Sequence, residues 1–415
     1  MSNKLTLASL FREKVSSNKD YRMKNETEQD VAYPTGFLSF DFLNGTVIHV
    51  KSEDMDFTYN SVGIIDGSMV TVIGRSGCGK TTFILQSSAE IIRKFDTACI
   101  YHDDIEGGIV QSRKEQLTGF SGEEYESRYI ARNSGVTAEN FFERIKICHD
   151  LKLENRKAFE YDTGLYDSDG KRIYKLEPTV YILDSLAMLM PEKYLEEEEL
   201  SGQMSATAAA KTNSAIFKRI IPMLKAANII LFVVNHITED VSINPMQHKK
   251  AQLAFLKQGE TLGGGRVATY VTNLLIRLDD NSKLKESESF GIAGSVVEVT
   301  LLKSRTSASG RSVNLVFDYA KGFDKELSLL QMLKDQGLVT ARGAYMNFVN
   351  EDSSIKFTQK TFKSKLTENE EFRKMVMRNV QTGLMNLINK PYEGKEEEKV
   401  FDLSSALLSE FNKVA

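Results

Sequence analysis

Eight consecutive residues, Gly74-Arg75-Ser76-Gly77-Cys78-Gly79-Lys80-Thr81, follow the spacing G-x-x-x-x-G-K-[ST], and an apolar run from Met69 to Ile73 leads into them. Residues of these types at this spacing cradle a nucleoside triphosphate. The glycines let backbone N–H groups turn inward around phosphate oxygens, Lys80 reaches the β and γ phosphates, and the Thr81 hydroxyl can ligate Mg²⁺. From Thr82 to Lys94 the pattern is helical, so a helix N-terminus adds a favourable dipole for the anion. Cys78, beside Lys80 and that N-terminus, is expected to carry a thiol of lowered pKa.

Two further segments supply carboxylates. Val180-Tyr-Ile-Leu-Asp184-Ser185 is an apolar strand ending in an acid, which suits a phosphate-bound Mg²⁺; an Asp after a strand is also a common turn residue or helix cap. Ile100-Tyr-His-Asp103-Asp104-Ile-Glu106-Gly-Gly108 leaves the strand that follows the cradle helix. An acid there can orient and partly deprotonate an attacking water, and Asp103, Asp104 and Glu106 compete for that task.

The elements that must position these groups are legible as apolar periodicity. Short runs rich in Val, Ile and Leu at Met69 to Ile73, Ala98 to Tyr101, Val180 to Leu183, Ile229 to Val234, Leu274 to Leu278, Val296 to Leu302 and Val313 to Phe317 read as strands. Helix-period segments at Thr82 to Lys94, Ala138 to Leu153 and Ser205 to Ala227 alternate with the earlier ones, which predicts a parallel sheet. The later strands lack intervening helices and predict an antiparallel edge. Gly45 to Asn60 and the polar residues 155–178 interrupt the pattern, the second as a hairpin insertion turning at Asp167-Ser-Asp-Gly170. Beyond about Leu327 the periodicity is helical, which predicts a small C-terminal domain at 326–393. The charged amphipathic tail at 394–415 suits either a partner or docking as a terminal helix.

Composition bounds the rest. The 415 residues are 41% hydrophobic and 27% charged, with a net charge of −4. That chain can bury a large core, and its balance leaves room only for localised nucleic-acid contact. It has no apolar stretch of membrane-spanning length and no secretory pattern at its N-terminus. Three cysteines, Cys78, Cys99 and Cys148, make neither a disulfide framework nor a metal set. A cytoplasmic location and no membrane partner are expected, the host cytoplasm for a phage protein.

Taken together, the motifs resemble the RecA family of homologous-recombination ATPases, and in character the UvsX-type recombinases of T4-like phages. The resemblance runs from Pro34-Thr-Gly-Phe-Leu-Ser-Phe-Asp41 through the cradle, Asp104-Ile-Glu106, Leu183-Asp184-Ser185, Val234-Asn235-His236, Thr261-Leu-Gly263-Gly264-Gly265 and Lys303-Ser-Arg305. Ser328 to Val339 is similar to the start of the C-terminal region in the phage members. The resemblance implies an α/β fold, a RecA-like P-loop core at 33–325 with a mostly parallel central sheet flanked by helices, behind an N-terminal oligomerisation segment at 1–32.

It also implies roles. Glu106 becomes the water-activating carboxylate, and His236 the sensor of the γ phosphate. Lys303 and Arg305 become cations donated across a protomer interface, acting like arginine fingers. Arg113 falls where the family often has an aromatic against adenine. Residues 191–205 and 238–262 correspond to two DNA-binding loops. In the second, Lys249, Lys250, Lys257 and Phe255 mix basic and aromatic character suited to a phosphodiester backbone and its bases, and Gly263, Gly264 and Gly265 close it. In the first, Glu196 to Glu199 is acidic, and Met204 is the better candidate for base contact. The implied cofactors are ATP and Mg²⁺. The implied partners are single-stranded DNA, homologous double-stranded DNA, further copies in a helical filament, a single-strand-binding protein and a loading mediator. A closed-ring RecA-fold helicase and a nucleotide-dependent clock or scaffold protein are the rival readings; Lys303-Ser-Arg305 argues against the first, Glu106 against the second.

Overall fold

The computed structural model describes residues 30–52, 55–167, 170–195, 202–239, 256–263, 267–284, 293–349, 351 and 355–388. The chain enters through β1 (Ala32–Tyr33) and α1 (Leu38–Leu43), makes a hairpin of β2 (Thr46–Lys51) and β3 (Asp56–Ser61), and returns through β4 (Ile64–Ile65), which pairs antiparallel with β1. The hairpin accounts for the interruption at Gly45 to Asn60. Strand β5 (Met69–Gly74) follows, with all six residues buried, and α2 (Lys80–Ile92) leads away from it.

From there strands and helices alternate. β6 (Ile100–Asp104) is followed by α3 (Gln111–Thr118), α4 (Gly122–Arg128) and β7 (Tyr129–Arg132), then α5 (Ala138–Glu154) and the short α6 (Arg156–Phe159). Residues 155–178 hold α6 and an antiparallel hairpin, β8 (Glu160–Tyr166) and β9 (Arg172–Leu176). β10 (Thr179–Asp184), α7 (Glu192–Leu195), α8 (Gly202–Ala227) and β11 (Ile229–Glu239) complete the alternating part. β12 (Glu260–Leu262) pairs back onto the end of β11, and α9 (Val267–Val271) precedes the long strands β13 (Leu274–Leu284), β14 (Gly294–Lys303), β15 (Arg311–Asp318) and β16 (Gly322–Asp324).

The central sheet runs β16-β15-β14-β13-β5-β11-β10-β6-β7. Strands β13, β5, β11, β10, β6 and β7 are mutually parallel, and β14 to β16 add an antiparallel edge. This is the mostly parallel sheet covered by helices that the alternation predicts, and the RecA-like α/β arrangement that the resemblance implies. Because both faces are covered, the middle strands are apolar at successive positions rather than alternating. Their side chains still divide by period two: Ile230, Phe232 and Val234 face the core that holds Phe37, Phe40 and Phe83, whereas Ile229, Leu231 and Val233 face α5 and α8 through Phe141 and Phe217. Asn228, with φ of +47°, turns the chain from α8 into β11; its side chain accepts from the Gly67 amide and donates to Tyr33 Oη and the Leu176 carbonyl.

The remaining residues form α10 (Lys325–Asp335), a hairpin of β17 (Val339–Arg342) and β18 (Tyr345–Phe348), α11 (Phe362–Glu368) and α12 (Glu370–Leu387). They enclose a separate apolar cluster with Phe348, Phe357, Phe362 and Phe372 fully buried, joined to the sheet edge by Val296 and Val316 and to α1 by Phe42. Phe372 sits within 5.2–6.1 Å of the other three rings. No helix among the described residues is long and apolar enough to cross a membrane. Phe372→Ala is expected to cost about 3–5 kcal/mol, read as a lower urea midpoint for a transition of the C-terminal cluster; an unchanged midpoint would contradict this packing.

Candidate active site

The cradle grows out of the end of β5. A side chain at Gly74 would lie 2.6 Å from the Leu278 carbonyl, so only glycine lets β5 turn here beside β13. Arg75, Ser76 and Gly77 are exposed, Gly77 and Gly79 take φ of +79° and +88°, and α2 begins at Lys80. Lys80 is 5% exposed, with Nζ donating to the Gly74 and Arg75 carbonyls at 3.1 and 2.8 Å. Burial lowers its pKa, and two neutral carbonyls do not neutralise an ammonium. A phosphate oxygen would. Thr81 and Thr82 occupy the first turn of α2, partly exposed at the cradle mouth.

Cys78 departs from the expectation drawn from the sequence. Its thiol is buried, a side chain at Gly74 would meet Sγ at 2.7 Å, and desolvation raises its pKa despite the nearby Lys80. Burial outweighs the cation and the helix N-terminus, so the thiol is packed against β5 rather than activated.

Parallel register brings the acids to the same end of the sheet. His236 lies opposite Gly74, Asp184 opposite Asp104, and Leu183 opposite Val233. Thr81 Oγ1 donates to Asp184 Oδ2 at 2.6 Å, while Asp184 Oδ1 is buried without a hydrogen-bond partner. Burial pushes the Asp184 carboxyl up to about 6, with Glu106 and Asp104 adding to the rise and Thr81 opposing it. A hydroxyl and a carboxylate converging with an unused oxygen fit a hard cation that takes oxygen ligands, so Thr81 and Asp184 suit Mg²⁺.

The three acids at the end of β6 have different surroundings. Asp103 Oδ2 accepts from Tyr181 Oη at 2.6 Å and from Arg144 at 2.6 Å, and Asp104 Oδ2 accepts from buried Lys114 at 2.9 Å. Both are committed to buried pairs. Glu106 lies beyond the strand, its side chain 34% exposed, with Oε1 2.7 Å from His236 Nε2. The His236 amide donates to Asn235 Oδ1, and Asn235 Nδ2 donates to the Gly263 carbonyl at 3.0 Å. A continuous path therefore joins Glu106 to Gly263.

Both ends of the expected second loop are strand, because β11 extends to Glu239 and β12 covers Glu260–Leu262. Met204 lies in the first turn of α8 rather than in a loop, since that helix starts at Gly202. Lys257 is exposed, its Nζ 3.8 Å from Asp279. Lys249, Lys250, Phe255, Gly264 and Gly265 lie outside the described residues, as do Glu196 to Glu199, residues 1–29 and the tail at 394–415.

Sequence reading missed a buried clamp beside that loop. Glu260 receives two hydrogen bonds from Arg277, at 2.8 and 2.9 Å, and both side chains are nearly inaccessible. Arg75 of the cradle lies 3.9 Å from the same carboxylate. A charge at 277 inside the apolar run Leu274 to Leu278 was the available signal. Tyr319 was missed too: the residue is 48% exposed, its ring packs edge-on against Phe317 beneath Gly79, and its carbonyl is held by Arg113. Arg113 also donates to Gln116 Oε1 and the Ala320 carbonyl, so its guanidinium braces this turn.

Lys303 and Arg305 lie at the other end of the sheet. Lys303 pairs with Leu275 and Leu275 with Thr71, three residues before Gly74, and the chain then continues away from the cradle. At about 3.3 Å per residue that is on the order of 10 Å or more. Lys303 Nζ donates to the Tyr270 carbonyl, and Ser304 and Thr306 are tied to Asn44.

No family model matches the chain. Among curated proteins it is similar to Protein RecA of Clostridium botulinum (strain Alaska E43 / Type E3), 23% identical over 307 residues that cover 74% of this chain and 73% of the relative. It is also similar to Protein RecA of Leptospira meyeri, 21% identical over 74% of this chain and 67% of that one, and of Lactobacillus delbrueckii subsp. bulgaricus, 22% identical over 77% and 82%. These matches support a RecA-family protein. The parallel core, the cradle and the strand-end acids lie within a RecA-like fold.

Two outcomes test this geometry. A carboxyl whose folded pKa lies above its unfolded value costs stability once ionised, so the cost is absent near pH 4 and complete above about pH 6. Asp184→Asn is therefore expected to raise unfolding free energy at pH 7.5 by on the order of 1–3 kcal/mol, with the gain vanishing toward pH 4; an equal gain at both pH values would contradict the assignment. Iodoacetamide at pH 8 should alkylate Cys78 at least about tenfold more slowly than a free thiol, read by peptide mass mapping, and equal rates would place the thiol outside the core.

Proposed function

We propose that this protein is a DNA-dependent ATPase of recombination, which assembles on single-stranded DNA as a helical filament and pairs it with homologous duplex. The observation that carries the reading is the path from Glu106 through His236 and Asn235 to Gly263, because it ties the phosphate end of the sheet to the stem of the segment expected to hold DNA. The RecA relatives support the same reading. The finer likeness to UvsX-type phage recombinases rests on the sequence motifs, as do a single-strand-binding protein and a loading mediator as partners and a site of action in the cytoplasm.

In this reading the backbone of Gly74 to Gly79 and Lys80 bind the phosphates, and Tyr319 with Arg113 offers a stacking surface for adenine. Bound Mg²⁺ on Thr81 and Asp184 would neutralise charge developing on the phosphates. Glu106 orients and deprotonates the attacking water once His236 turns from it toward the γ phosphate. That turn pulls on the Asn235 to Gly263 link and resets the DNA-holding segment, where Lys257 contributes charge. Lys303 and Arg305, unable to reach their own chain's cradle, complete a neighbouring protomer's site, so turnover depends on assembly.

Steady-state ATP hydrolysis with and without single-stranded DNA tests the reading. Strong stimulation is expected, and none at low or moderate salt would overturn it. The shared site has its own test: Lys303→Ala/Arg305→Ala protein and Glu106→Gln protein should each be inactive, whereas mixing them should restore turnover at interfaces that combine the intact halves. No recovery in filaments that visibly contain both proteins would refute donation in trans.

A further inference from the structure

Three side chains from three elements converge beside the cradle. Glu106, Asp184 and His236 each offer a ligand atom, and these atoms all lie within 4.8 Å of one another. Asp184 ends β10, and His236 lies at the last position where the neighbouring parallel strand β11 pairs with β5. Glu106 lies beyond the end of β6 with its side chain 34% exposed, so its carboxylate has room to adjust. Asp184 Oδ1 is an independent sign of a missing partner: it is buried, on a residue 4% exposed, and accepts no hydrogen bond.

The donor set does not match the magnesium subsite. Mg²⁺ takes oxygen ligands, which Thr81 and Asp184 supply; an imidazole nitrogen with two carboxylates instead suits zinc or cobalt(II). We propose that, without nucleotide, Glu106, Asp184 and His236 together hold one borderline transition-metal dication, with zinc as the type case and a fourth position open to water.

Bonds of about 2.0–2.1 Å in a tetrahedral site separate ligand atoms by about 3.4 Å. The His236–Glu106 pair, now 2.7 Å apart, opens by less than about 1 Å as the ion takes the place of the proton they share. Two carboxylates and a neutral imidazole, bound through Nε2 with its proton on Nδ1, balance the dication. A bound ion latches Glu106 and His236 together. On the reading of the site as an ATPase, that would hold the water-activating group and the sensor out of use until nucleotide with Mg²⁺ displaces the ion.

The test uses the full chain without nucleotide, dialysed against zinc chloride alone, with cobalt(II) chloride as a spectroscopic probe. One equivalent should bind, and the cobalt form should show visible d–d bands without a thiolate charge-transfer band. His236→Gln should weaken binding at least about tenfold, and Glu106→Gln, altering a partly exposed side chain, should weaken it in a protein of unchanged thermal midpoint. Stoichiometric binding that survives both substitutions, a thiolate band placing the metal on Cys78, Cys99 or Cys148, or no stoichiometric binding would each overturn the proposal. Because this readout needs neither ATP nor DNA, its failure leaves the ATPase reading standing, and loss of DNA-stimulated turnover leaves the metal site standing.

Discussion

The parallel register of β5, β11, β10 and β6 is the constraint on which the site depends. With His236 level with Gly74 and Asp184 level with Asp104, every strand that matters delivers its chemistry to one edge of the sheet. A slip of one residue in β11 would turn His236 to the other face and swap Ile230, Phe232 and Val234 with Ile229, Leu231 and Val233 between two filled cores. Packing therefore fixes the register, and register fixes the site. The same pairing sends Lys303 and Arg305 to the far edge, so one sheet separates the cradle from the cations assigned to a neighbour.

Within that frame the groups at the cradle are held in a strained electrostatic balance. Lys80 is a buried cation whose Nζ hydrogen bonds go to two carbonyls, and Asp184 is a buried carboxyl that ionises reluctantly. Each is costly alone and is relieved by what the other side of the site supplies: phosphate for the lysine, a cation for the aspartate. Stability surrendered there is recovered elsewhere, in the phenylalanine clusters and in buried pairs such as Asp104 with Lys114. The Arg277–Glu260 clamp works differently. It anchors β12 against β13 close to Arg75, so the stem of the segment proposed to hold DNA and the cradle share one charged neighbourhood.

Much of this was legible in the sequence because the cradle and the apolar runs are local signals. Gly74 to Thr81 specifies its own loop, and Val180 to Leu183 its own strand. The features missed were those made by distant residues. Asp103 and Asp104 compete with Glu106 on paper, and only the approach of Tyr181, Arg144 and Lys114 from other elements commits them. Cys78 was misread because a helix N-terminus and a lysine are visible in sequence, whereas the wall formed by β5 is not. Strand ends also ran longer than their apolar runs: β11 reaches Glu239 because backbone pairing with β12 continues where hydrophobicity stops, and β13 likewise runs on to Leu284 beside β14.

The claim that phosphate sensing and DNA holding are one linked equilibrium is tested most directly by single-stranded DNA affinity, measured by fluorescence anisotropy at fixed salt with and without a non-hydrolysable ATP analogue, in the natural protein and in His236→Ala. Linkage requires the analogue to tighten DNA binding by the factor by which DNA tightens analogue binding, and the account places most of that factor, typically 5- to 150-fold, in His236. Collapse of the factor toward one in His236→Ala, with analogue binding retained, is the predicted result. An undiminished factor in that variant would contradict the account.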